Sequence, residues 1–185
     1  MAKHVKTHPD WLKADHVIDV YSVSNCVSKD FVNHVTCWKY NGYGFFNSPE
    51  TIREVAEEHF INLTKTKLFF YEVYALQYDE DEKSWKSFAS ESSFETQVSR
   101  PDEKTLEGYD VVSFCFGTNP GCSPLSCNSL ASEMTTNEHC LLPSFQKAKE
   151  LLEQDRFAHS EPGPYRIFAV YSAVWPPQSP PVAEV

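Results

Sequence analysis

Glycine is scarce in this chain. Six occur in 185 residues, and none falls in a G-x-G-x-x-G or G-x-x-x-x-G-K-[S/T] pattern. Such loops bring backbone N–H groups onto phosphates, so the common nucleotide cradles are excluded. The hydrolase signatures G-x-S-x-G and H-E-x-x-H are also missing, as are the kinase set and the EF-hand loop. Positive charge is in deficit: 16 Lys and Arg stand against 26 Asp and Glu, a net charge of −10. Phosphate backbones and anionic lipids both call for a Lys/Arg surface, so neither nucleic acid nor membrane is expected as a partner. No apolar run approaches the roughly 20 residues a membrane helix needs. The opening MAKHVKTHPDW has Lys but no apolar stretch behind it, which is not a secretory leader pattern. The expected compartment is the cytoplasm, where thiols stay reduced.

Aromatic residues are abundant, with thirteen Phe, nine Tyr and four Trp. A disordered chain lacks such residues, and this length suffices for one domain with a real core. The expected layout has three parts. Residues 1–15 form a flexible segment, 16–175 a single α+β domain, and 176–185 a Pro-rich tail.

A weak internal repeat organises the domain. NGYGFFNSPETIREVAEEHF begins at Asn41, and NEHCLLPSFQKAKELLEQDRF begins at Asn137. A shift of 96 positions aligns Asn41 with Asn137 and Ser48 with Ser144. It also aligns Ile52, Val55 and Ala56 with Ala148, Leu151 and Leu152. These apolar positions lie four, seven and eight residues after each serine, the spacing of one helical face. Each serine suits an N-cap, and Pro49 suits the first helical position. Helices are therefore expected near 49–61 and 145–156. Each is followed by a β-prone run, at 67–78 and 165–175. Each repeat is preceded by a candidate strand, at 16–24 and 109–117. The halves are 16–78 and 109–175, with 79–108 inserted between them. Within the insertion, 79–83 reads as a turn and 100–108 as a loop. Two βαβ-like halves sharing a mixed or antiparallel sheet, with both helices on one face, would make a two-layer sandwich of ferredoxin-like style.

The segment 117–140 holds Cys122, Cys127 and Cys140 among turn residues. With His139 these thiols could supply the four ligands of a structural zinc. Adjacent side chains diverge in extended backbone, so Cys122 and Cys127 with one of His139 and Cys140 is the more reasonable set. Cys140 lies near a helix start, which can activate a thiol. The simpler role for these cysteines is packing, in a long loop held by its own Leu125, Leu130 and Met134 contacts. Cys115 should alternate with Phe114 and Phe116 within a strand. Glu72 stands mid-strand, sharing a face with Phe70 and Tyr74. It is expected to be exposed or hydrogen-bonded to a tyrosine.

The expected role is non-catalytic binding of a small ligand, a protein partner or a second copy. Cys122, Cys127, Asn128 and Glu72 are the candidate contact residues. A zinc protein with its site in the 117–140 loop is one alternative, and a thiol-dependent enzyme is another. No cofactor is expected unless zinc occupies that loop.

Overall fold

The structure is a computed structural model. It describes residues 2–7, 16–18, 46, 48–58, 60, 62–64, 66–87, 100–115, 123–127 and 130–177. Six strands are described: β1 (Ala2–Thr7), β2 (His16–Ile18), β3 (Thr66–Asp79), β4 (Ser84–Ser87), β5 (Lys104–Ser113) and β6 (Tyr165–Ala173). The helices are α1 (Pro49–Glu58), the single turn α2 (Pro124–Cys127) and α3 (Phe145–Glu153). Every strand pair is antiparallel. The fold is α+β.

Both repeat helices form where the spacing places them. The Ser48 hydroxyl accepts from the Thr51 N–H at 3.2 Å, and the Ser144 hydroxyl from the Lys147 N–H at 3.0 Å. Each hydroxyl satisfies a first-turn donor that has no partner inside its helix. Ile52, Val55 and Ala56 are the buried residues of α1, and Ala148, Leu151 and Leu152 those of α3.

The sheet runs β2-β1-β3-β6-β5. β3 and β6 form its long central ladder, from Leu68↔Ala173 to Tyr78↔Tyr165. β6 thus occupies one edge of β3. The other edge is shared by β1, against Thr66–Leu68, and β4, against Leu76–Asp79. No strand was expected before His16, yet β1 is there, and β2 pairs with it rather than with β3.

Both boundaries of β5 differ from the sequence expectation. The stretch from Lys104 to Gly108 is strand, not loop, because β6 extends far enough to pair Lys104 with Ala173. An edge strand tolerates the polar residues there. At the other end, β5 stops at Ser113, where the Ser113 hydroxyl donates to the Pro162 carbonyl at 2.5 Å and the Phe114 N–H to the Pro164 carbonyl at 2.7 Å. Cys115 therefore sits in a turn, half-buried, and outside the strand.

Register sorts the side chains into faces. Leu68 and Ala173 pack with Phe46, Ile52 and Val55 against α1. Further along the ladder, Tyr78, Val111, Tyr165 and Ile167 pack with Ala148, Leu151 and Leu152 of α3. Leu125 and Met134 join this second cluster, and Leu130 packs against it. The described part of the 117–138 segment is therefore anchored in the main core and not only by its own contacts.

The edge of β5 is closed in mid-length. The Tyr109 N–H donates to the Leu142 carbonyl at 2.9 Å, and the Leu142 N–H to the Tyr109 carbonyl at 2.8 Å. This approach requires Gly108, whose φ is +152°. A Cβ there would lie 2.8 Å from both the Leu141 Cβ and the Leu142 carbonyl oxygen.

A candidate binding cavity

The β3 run LFFYEVY puts a single carboxylate among aromatic residues. Pairing Glu72 with Ala169 and Phe70 with Tyr171 brings Phe70, Glu72 and Tyr171 onto one face. The Tyr171 hydroxyl donates to Glu72 Oε2 at 2.9 Å, and the Lys104 ammonium donates to Glu72 Oε1. Lys104 Nζ also stands 4.0 Å from the Tyr171 ring centre and 5.0 Å from that of Phe70. Carboxylate, ammonium and two rings thus form one closed group.

Its protonation states are fixed by these contacts. The Lys104 hydrogen bond holds the Glu72 carboxyl below its ordinary value; partial burial opposes this, and Tyr171 and the charges of Lys104 and Arg100 add to it. Burial, and then the neighbouring Glu72, push the Tyr171 phenol up to about 12. Around neutral pH, Glu72 is ionised and Tyr171 keeps its proton.

Beside Phe70 opens a cavity of about 450 Å³. Phe46, Leu68, Phe69, Phe70 and Trp175 give it apolar walls. Ser48, Pro49 and Glu50 close it from the start of α1, and residues 100–103 from the approach to β5. Arg53 braces the remaining wall. Its guanidinium lies 5.2 Å from the Trp175 ring centre and donates to the Pro176 carbonyl. The segment leaving β6 is thereby tied to α1 across the cavity mouth.

Glu72 is bonded to a tyrosine as expected, but it is not among the residues that line this cavity; Phe70, on its face of β3, is. Cys122 and Asn128 lie outside the described residues. The Cys127 backbone ends α2, and its side chain also lies outside them. Cys140 is buried, with a φ of +59°, in a turn where its N–H donates to the Asn137 carbonyl at 3.0 Å. The neighbouring His139 ring meets Phe69 edge-on at 6.0 Å, with Nε2 3.5 Å from Glu107 Oε2. Among the described residues, no three His, Cys, Asp or Glu side chains gather at metal-binding range.

Sequence reasoning missed the cavity-forming residues Phe46, Arg100 and Trp175, as well as Lys104. One available signal was a Trp closing the β-prone run 165–175, directly before Pro176–Pro177. A large ring at that point has no strand neighbour to cover it.

Other polar side chains, buried or at the surface, anchor structure. The Ser123 hydroxyl donates to Asp110 Oδ1 at 2.6 Å, tying the chain before α2 to β5. Arg166 donates to the Tyr74 carbonyl through Nη2 at 2.6 Å and Nε at 3.2 Å. Asn137 holds its turn from both ends. Its Oδ1 accepts from the His139 and Leu141 N–H groups, each at 3.0 Å, and its Nδ2 donates to the Glu107 carbonyl at 2.5 Å. Among the described residues, no helix is long and apolar enough to cross a membrane.

No protein-family model, curated protein or solved structure matches the chain.

Proposed function

We propose that this chain is a non-catalytic binding domain and that its ligand enters the cavity between α1, the start of β3 and the end of β6. The observation that carries this reading is the cavity itself: about 450 Å³, walled by Phe, Leu and Trp side chains. Ligand sites usually measure roughly 300–1,000 Å³ and combine apolar walls with a few polar groups. The nearby titrating groups favour binding over acid–base chemistry. Proton transfer at neutral pH works best with a group tuned close to neutrality. Glu72 is held low and Tyr171 high.

In its finer form, the proposed architecture is a duplicated two-layer sandwich of ferredoxin-like style. The matched caps at Ser48 and Ser144 support it, as do the matched buried faces of α1 and α3. Cys140 adds to this. Its φ of +59° is a conformation that suits glycine, and the shift of 96 positions places Gly44 at the equivalent point.

The test is a thermal-shift screen with small aromatic and alkyl compounds. A compound present at about 100 times its Kd should stabilise the fold by about 2.7 kcal/mol. Ala173→Leu, which projects a branched side chain into the cavity, should abolish that response. A compound that stabilises Ala173→Leu as well as the parent protein would overturn the assignment.

A further inference from the structure

We infer that the cavity takes an apolar amine in its ammonium form; this rests on the binding reading above. Among the described residues, four ionisable side chains line the cavity: the carboxylates of Glu50, Asp102 and Glu103, and the guanidinium of Arg100. All four residues are exposed at the rim. Two further cations of the elements around the cavity are already engaged. Arg53 is held by the Trp175 ring and the Pro176 carbonyl, and Lys104 by Glu72. Three carboxylates against the one guanidinium of Arg100 leave the described rim net negative.

The start of α1 does not reverse this. A helix N-terminus attracts anions, but here the Ser48 hydroxyl takes the Thr51 N–H, and Glu50 already places a carboxylate in the first turn. An incoming carboxylate would meet three like charges against the single guanidinium of Arg100. An incoming ammonium would meet those same carboxylates, and the aromatic walls add attraction between the cation and the ring faces. The net charge of −10 draws cations to the protein in the same sense. The cavity has room for about fifteen volumes of liquid water, enough for a single ring on a short linker.

Three probes of one shape separate charge from fit: phenethylammonium, phenethyl alcohol and phenylacetate. Calorimetric titration at low salt should rank them in that order, with the ammonium about three- to ten-fold tighter than the alcohol. Added salt should narrow the gap. The double variant Asp102→Asn, Glu103→Gln changes only exposed side chains. It should remove most of the ammonium preference and leave alcohol binding in place. Phenylacetate binding best, equal binding of all three, or binding by none would overturn the ammonium assignment. Binding that persists undiminished in Ala173→Leu would overturn the cavity reading instead.

Discussion

The two ends of the β3–β6 ladder are built from the same parts and finished differently. At one end Leu68 faces Ala173 beneath α1; at the other Tyr78 faces Tyr165 beneath α3. Where Ala173 leaves space, the apolar cavity opens. Where Tyr165 stands, the chain is tied by hydrogen bonds. Its hydroxyl donates to the carbonyls of Glu161 and Phe157, the latter at 3.3 Å, and its ring packs 6.0 Å from that of Phe157. A cavity of about 360 Å³ exists at this end too, but Lys83 and Asp155 in its wall pair at 2.5 Å. Nearby, Trp85 Nε1 donates to Glu153 at 2.8 Å, and Glu80 accepts from the Gly163 N–H at 2.6 Å. One end of the ladder is committed to holding the fold together, and the other is left with unspent apolar wall.

The sharpest way to break this contrast is to remove packing from the tied end. Phe157→Ala removes a fully buried ring and should lower stability by about 3–5 kcal/mol in denaturant titration. Ala173→Leu, at the open end, should change it by less than about 1 kcal/mol, because it adds volume where volume is missing. Comparable losses for the two would erase the distinction.

A finer comparison uses the two tyrosines. Tyr165→Phe removes the donor to the Glu161 carbonyl, while the Phe157 carbonyl keeps Ser160, and should cost about 1 kcal/mol. Tyr171→Phe should cost less, because Glu72 keeps Lys104. A larger loss from Tyr171→Phe would mean that the open end carries more of the fold than its geometry implies.

Capping gives a nearly matched pair. Ser144→Ala and Ser48→Ala should each cost about 1 kcal/mol by thermal melting. A large inequality would count against equivalent halves.

The pH dependence is the smallest effect. Tyr165 and Tyr171 both titrate at about 12 in the folded chain, against 10.0 for an unperturbed phenol. Their protonated forms favour the folded state. That contribution is complete below about 10 and fades as pH rises through about 12. Tyr165→Phe should flatten the alkaline loss of melting temperature more than Tyr171→Phe does. Glu72 acts in the opposite range. Its carboxyl is held below the ordinary 4.5, so its contribution is present above that value and lost as pH falls through the lower folded pKa. Lys104→Met should flatten that acid limb, by well under about 1 kcal/mol, since the pair is partly solvated.

The contrast between the ends also shows what a sequence can carry. Ser48, Ile52, Val55 and Ala56 announce α1, because capping and one-sided burial are written within a dozen neighbouring residues. The same holds for Ser144 to Leu152. The two central strands were legible from their β-branched and aromatic runs. The cavity was not. Its walls come from the start of α1, from β3, from the approach to β5 and from the end of β6, a meeting that no local period encodes. The start of β5 was hidden for the same reason. RPDEK reads as loop by composition, and only the length of β6 makes Lys104 a strand residue. Glu72 was visible as an oddity, a charge among rings. Its partners came from the other half of the chain and from the insertion.

The closure of β5 at Gly108 bears on how the protein behaves in a crowded solution. An uncovered edge strand is a template on which another chain can add its own backbone, and repeated addition leads to aggregates. Here Leu142 already occupies the bonding groups of Tyr109 halfway along that edge. A second molecule approaching β5 would find the row of donors and acceptors interrupted and would have to strip away a segment anchored by Asn137 before it could pair in register. A substitution at Gly108 would therefore do more than strain one turn. It would release a growth surface, and the damage would be read in solubility at high concentration as much as in folding free energy.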